Sequence, residues 1–211
     1  MDNFRLSFEF FPTKTEEGTA KLFATRDKLA TLNPDFFSVT YGAGGSTRDH
    51  TISTVTGMNA KGIGTAPHLS CVGETKANIK DLLTHYAQND IERIVALRGD
   101  LPSGMAASAG ELKYANELVE LIKAEHGDRF HLEVAAYPEM HPQAKNFEQD
   151  LLNFKRKVDA GADSAITQYF FNPDSYFYYV DRCQEMGIDI PIVPGIMPIT
   201  NYTKLARFSD M

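Results

Sequence analysis

A chain of 211 residues with 43% hydrophobic and 23% charged residues has the profile of a globular protein and lies far from that of a disordered one. Its formal net charge of -7 excludes a broad nucleic-acid or anionic-membrane surface, so an anionic ligand must be held by a local basic cluster. Two cysteines, Cys71 and Cys183, stand far apart in no C-x-x-C pair; they indicate neither a disulfide framework nor a zinc site and read as reduced core residues.

The elements follow in chain order. Met1 to Arg5 carries no apolar signal region, and no run in the chain is long enough to cross a bilayer, so a cytoplasmic protein is expected. Segments rich in β-branched and aromatic residues then recur as seven candidate strands: Leu6 to Pro12, Phe36 to Gly42, Thr65 to Cys71, Arg93 to Gly99, His131 to Pro138, Ser164 to Phe170 and Pro191 to Met197. Their starts are roughly 27 to 38 residues apart, the span of a strand-helix-strand crossover, and several are apolar on both faces, as parallel strands are. The segments between them read as helices. Leu118, Val119 and Ile122 mark one between Tyr114 and Glu125. Phe147, Leu151, Phe154 and Val158 form an apolar stripe from Asn146 to Ala160, with Gly161 as the stop. Ser103 to Gly110 reads as a loop after the fourth strand, and Asn201 to Met211 as the start of a seventh helix.

An open doubly wound sheet announces its nucleotide site with G-x-G-x-x-G after the first strand, and Glu9 to Pro12 stands there instead. The expectation is therefore an α/β chain folded as a (β/α)8 TIM barrel, incomplete with about seven strand-helix units. Because a full barrel takes about 250 residues, residues 1–211 are expected to form one barrel domain without its C-terminal strand and helix units.

Reactive groups of such barrels stand where strands end at the carboxyl face. Glu9 lies in Phe8-Glu9-Phe10-Phe11-Pro12, where neighbouring aromatics can exclude water and raise the carboxyl pKa for general-acid work; a salt bridge or solvent exposure is the alternative. Asp100 follows Arg98 and Gly99 and either faces a cationic intermediate or is a turn aspartate before Pro102. Thr40, Tyr41 and Ala43 belong to a small-residue loop that can admit a flat ring or a phosphate, or be only a turn. His68, Tyr137, His141 and Gln168 hold comparable positions at three other strand ends. The pair Glu139 and His141 alone is thin support for a metal, and a metal-free protein is expected. On the Asn146 helix, Asp150, Asn153 and Lys157 share one face with Arg156 beside them, read as opposite the apolar stripe. That face is either solvated surface or a grip for pyrophosphate.

Taken together, Ser7-Phe8-Glu9-Phe10-Phe11-Pro12, Ser38 to Ala43, Pro67-His68-Leu69, Ala96 to Pro102, Ala135 to Glu139, Leu151 to Lys157 and Pro194 to Pro198 resemble the methylenetetrahydrofolate reductase family of the bacterial type, along essentially the whole chain. The resemblance implies a cytoplasmic flavoprotein oxidoreductase of one-carbon metabolism and methionine biosynthesis. In that reaction NADH reduces bound FAD, which passes hydride to 5,10-methylenetetrahydrofolate and gives 5-methyltetrahydrofolate. It also implies a homo-oligomer. It makes Glu9 the general acid that opens the folate ring and Asp100 the acid beside flavin and pterin, both also touching substrate. Thr40, Tyr41, Ala43, His68, Arg98, Gly99, Asp100, Tyr114, Ala115, Tyr137, His141, Ala144, Asp150, Asn153, Arg156 and Lys157 would line the FAD site. Gln168 would meet folate or nicotinamide, and Phe208 would stack the alternating substrates.

Lys204 stands where the family often has glutamine, facing either a folate carboxylate or solvent, and relatives are expected to continue beyond Met211. Two further readings stay open on the residues: an inert folate- or flavin-binding barrel, favoured by an incomplete fold, and a pterin-dependent methyltransferase barrel, which needs no flavin.

Overall fold

The computed structural model describes residues 5–41, 45–100, 110–201 and Thr203, with the backbone alone at 45–48. Strands and helices alternate throughout: β1 (Ser7–Phe10), α1 (Glu16–Ala30), β2 (Phe36–Val39), α2 (Gly45–Asn59), β3 (Thr65–Ser70), α3 (Lys76–Gln88), β4 (Arg93–Leu97), α4 (Ala115–His126), β5 (His131–Ala136), α5 (Phe147–Asp159), β6 (Ser164–Thr167), α6 (Pro173–Glu185) and β7 (Ile192–Val193). Each helix returns the chain to the same end of the sheet, so all six strand pairings are parallel and the strand order is the chain order, β1 through β7. This is a (β/α)8-type barrel left open, with seven strands among the described residues.

Every expected strand contains the observed one. Each ends sooner than expected, because the last residues of the apolar runs leave the ladder and become the loops of the carboxyl rim. The expected seventh helix and the loop from Ser103 lie outside the described residues, apart from Asn201, Thr203 and Gly110.

Local chemistry sets the helix ends. Thr15, Thr75, Asn146 and Asn172 are N-caps whose side chains accept backbone N–H groups of Gly18, Asn78, Gln149 and Asp174. Gly161, at φ 110, carries the chain out of α5 in a conformation closed to most side chains.

Alternation along the strands separates two cores. Phe10, Phe37, Val39, Leu69, Ile94, Ala96, Leu132, Val134 and Ala165 point outward and bury against the helices, including Leu118, Ile122, Leu151 and Phe154. Burying one such large side chain stabilises the fold by about 1.5–3 kcal/mol. The inward residues form a smaller cluster, Phe36, Ala66 and Val95 with Leu97 and Ile166 against it. Cys71 and Cys183 are free thiols in the outer core, and burial raises both.

Below that inner cluster, polar groups close the amino-terminal end of the barrel. Arg93 bridges to the buried Glu133 and stacks over Phe36 with its guanidinium carbon 4.5 Å from the ring centre. His131 Nε2 lies 3.4 Å from Glu133 Oε1 and 2.6 Å from Ser164 Oγ. Burial alone would raise Glu133, but hydrogen bonds from His131 and Ser164 and the Arg93 charge outweigh it and hold the carboxyl below the ordinary range.

Candidate active site at the carboxyl rim

All strand ends meet at one rim, and the residues singled out there fall into two groups. The first joins β1 to β3. Phe8 and Phe10 lie on the outer face against Phe37, with ring centres 6.3 and 5.6 Å away. Glu9 therefore points inward, beside its cross-strand partner Ser38. Its Oε2 lies 3.5 Å from His68 Nε2, and its side chain is 49% exposed. The carboxyl is raised above the ordinary glutamate value by partial loss of water. This corrects the expectation that the neighbouring aromatics shield Glu9: strand alternation sends them to the other face, and the barrel mouth itself removes the water. His68 is buried, its Nε2 has no hydrogen-bond partner, and burial pushes its imidazole down to about 4.

The second group joins β4, β5 and α5. Lys157 Nζ donates to the carbonyl of Ala135 and lies 5.9 Å from the Tyr137 ring centre. Burial pushes its ammonium down to about 8. The buried Asp150 accepts the backbone N–H of His141 at 2.8 Å, and the His141 ring stands edge-on to Tyr137 at 4.5 Å. Burial, with the charges of Asp100, then Asp150, pushes the Tyr137 phenol up to about 12. His141 is held below its ordinary value by burial, with the Arg98 and Lys157 charges helping against Asp150 and Asp100. Arg98 and Asp100 thus act electrostatically on the same corner.

The polar face of α5 is not opposite its apolar stripe. At about 100° per residue, Asp150 and Lys157 flank the stripe, Asn153 lies further round, and Arg156 is opposite it. Accordingly Asp150 is buried, Asn153 and Lys157 are half-buried, and Arg156 is exposed with Nη1 donating to Asn153 Oδ1 at 3.0 Å.

The remaining positions are spread around the rim. Tyr41 donates to Glu74 Oε1 at 3.0 Å, and Thr40, just past β2, has its N–H on the Phe10 carbonyl. Gly99 sits at φ +83, where a Cβ would meet Ser70 Oγ at 1.8 Å. Tyr114 is the exposed N-cap of α4, followed by Ala115, with its backbone N–H on Glu117. Ala144 closes a turn on the His141 carbonyl. Gln168 is exposed; its backbone N–H donates to the Ala136 carbonyl of β5 at 2.8 Å, and its own side-chain oxygen accepts the N–H of Tyr169. Ala43, Lys204 and Phe208 lie outside the described residues.

Two rim residues escaped the sequence reading, and a third has a different role. Glu74 holds Tyr41, and Ser70 Oγ donates to the Arg98 carbonyl at 2.8 Å. Glu139, weighed there as a metal ligand, instead accepts the N–H groups of Phe171 and Asn172 and fixes the loop into α6. Only the position of Glu139 at a strand end hinted at a loop-fixing role.

An inward acid beside a buried imidazole, and a buried ammonium beside aromatic rings, stand at one rim of a parallel barrel, the end at which such folds carry composite polar sites. The family model for methylenetetrahydrofolate reductase matches residues 1–211. The 5,10-methylenetetrahydrofolate reductases of Salmonella typhimurium and Escherichia coli are each 48% identical over 207 residues, covering 98% of this chain and 68% of theirs. The chain belongs to the methylenetetrahydrofolate reductase family. Its fold is shared with a Clostridium thermocellum protein that binds two copies of 5-methyl-5,6,7,8-tetrahydrofolic acid, at a TM-score of 0.70 and 14% identity over 98% of this chain and 71% of that one. Among the described residues no helix is long and apolar enough to cross a membrane.

Proposed function

We propose that this protein is an FAD-dependent oxidoreductase that reduces 5,10-methylenetetrahydrofolate to 5-methyltetrahydrofolate at the expense of NADH. The observation that carries the reading is the division of the rim: an acid held toward its protonated form on β1, and a buried cation with aromatic neighbours on β5 and α5. A folate to be protonated and an anionic dinucleotide to be gripped need those two things.

The residues of this chain fit a flavin dinucleotide. Lys157, depressed by burial with one carbonyl as its acceptor, gains from an anion at its remaining N–H groups. Lys157, Arg156 and Asn153 would hold the pyrophosphate; Thr40, Tyr41, Arg98, Gly99, Tyr137 and His141 would border the rest. FAD, when bound, supplies the two-electron chemistry that links NADH to the folate. Glu9 presents its proton to the folate, the O–H bond breaks as an N–H bond forms, and the five-membered ring opens to an iminium. Asp100 places negative charge where that cation develops, and Gln168 stands where folate or nicotinamide would enter.

The test is a visible absorption spectrum before and after anaerobic addition of NADH. A flavin band that bleaches supports the reading; a band that does not bleach favours an inert binder. Glu9→Gln is expected to abolish folate reduction and to spare NADH oxidation with a quinone acceptor, and equal loss of both overturns the assignment of the acid.

A further inference from the structure

We propose that His68 is the positioning residue of the Glu9 acid: in its Nδ1-protonated tautomer, the bare Nε2 accepts the carboxyl proton of Glu9 and holds that carboxyl, in its acid form, at the mouth of the barrel. The inference rests on the reading of Glu9 as an acid and assigns how its proton is kept. His68 is 7% exposed, and its Nε2 is a buried polar atom without a hydrogen-bond partner. Such atoms are scarce in folded proteins and call for a specific explanation. The polar group it meets is Glu9 Oε2, at 3.5 Å. That gap is about 0.7 Å longer than a hydrogen bond, and a small torsion of the half-exposed Glu9 side chain closes it.

Three proton arrangements are open to the pair, and the surroundings select one. An imidazolium facing a carboxylate is disfavoured because burial holds His68 neutral well into the acid range. An Nε2–H donor facing an ionised Glu9 needs a carboxylate stabilised in a partly dry mouth. The groups around it do not supply that. On β1 the inward neighbour is Ser7, β2 contributes Ser38, β3 adds Ala66 and Ser70, and β4 contributes Val95 and Leu97. Past β4, Arg98 Nε is turned onto the Gly99 carbonyl, and Asp100 carries a like charge; Arg93 is committed to Glu133. Among the described residues no Lys or Arg lies in ion-pair reach of Glu9, and its raised pKa agrees. What remains is a protonated carboxyl donating to a neutral imidazole. When Glu9 gives its proton to the folate, the carboxylate keeps the electron pair of the broken O–H bond. Water on its exposed side returns a proton, and His68 is unchanged.

Nitrogen-15 NMR of the histidine-labelled chain, with carbon-13 detection of the Glu9 carboxyl, tests this directly. The expected result is a bare Nε2 at neutral pH whose resonance moves in step with the Glu9 titration, and a Glu9→Gln variant in which that step disappears. An Nε2–H tautomer, or an Nε2 resonance indifferent to Glu9, overturns the proposal. These measurements need no flavin, so they stand or fall separately from the reductase reading. On the holoenzyme, His68→Leu is expected to slow folate reduction about tenfold more than flavin reduction by NADH, the loss of about one hydrogen bond to the acid. His68→Gln, which restores an acceptor, is expected to recover most of that difference; equal slowing of both half-reactions overturns the proposal.

Discussion

Two Glu–His pairs stand inside this barrel at nearly the same separation, and they behave oppositely. At the amino-terminal end, Glu133 and His131 lie 3.4 Å apart, with Arg93 and Ser164 completing the set, and Glu133 is held below the ordinary carboxyl range. At the carboxyl rim, Glu9 and His68 lie 3.5 Å apart with no cation in reach among the described residues, and Glu9 is raised. Residue types and distances match; the hydrogen bonds on Glu133, its deeper burial and the Arg93 guanidinium differ. A buried carboxylate held by hydrogen bonds and a fixed positive charge becomes structure, whereas a half-exposed one that meets only a neutral acceptor keeps a proton to spend.

The largest effect should come from breaking the lower pair. Arg93→Met leaves Glu133 buried without its cation and is expected to destabilise the fold by about 3–5 kcal/mol, read as a fall in the urea midpoint; adding Glu133→Leu should recover part of it.

A second way to separate the pairs is acid titration of stability. His68 binds a proton in the unfolded chain from its ordinary 6.5 downward but in the folded chain only near about 4, so stability should fall as pH drops through that window. Glu133, depressed in the fold, adds a further loss as pH falls below the ordinary glutamate value of 4.5, whereas Glu9, raised in the fold, takes its proton sooner when folded and opposes the loss. Urea unfolding across pH should show the His68 component, and His68→Gln should flatten it.

Gly99→Ala probes how tightly the rim is built. Its φ of +83 and the 1.8 Å approach of a Cβ to Ser70 Oγ force Ser70 off the Arg98 carbonyl. A loss of about 1–3 kcal/mol is expected. Gly62→Ala, at φ +89 with nothing within 4 Å, should show the backbone strain alone, about 1 kcal/mol, and the difference in thermal midpoint measures the contact.

The smallest effect sharpens the comparison most. Glu9→Gln should change stability by no more than about 0.5 kcal/mol in the same urea assay, since the carboxyl has no cation to lose, even though it is expected to remove folate reduction.

Much of this arrangement was legible along the chain. The spacing of apolar segments marked all seven strands, because a parallel crossover has a minimum length and several of the strands bury both faces. Gly161, read as the stop of the Asn146 helix, ends α5 for the backbone freedom it has. The motif around Glu9 pointed to a raised carboxyl for the wrong cause, since Phe8 and Phe10 beside it in sequence are across the sheet from it in space. The α5 face was misread in angle, so solvated surface stood beside a pyrophosphate grip as a reading of a face whose Asp150 is buried and Lys157 half-buried.

The sequence by itself determined the order of elements, the face each strand residue occupies and the rim on which the polar residues gather, since those follow from periods of two and 3.6 residues and from parallel connection. Only the tertiary structure decided which polar side chains meet. Arg93 reaches Glu133 across 40 residues of sequence, and Glu9 reaches His68 across more. The sign of a buried carboxyl's pKa depends on that meeting, because in a space short of water the nearest charge, or its absence, outweighs everything local.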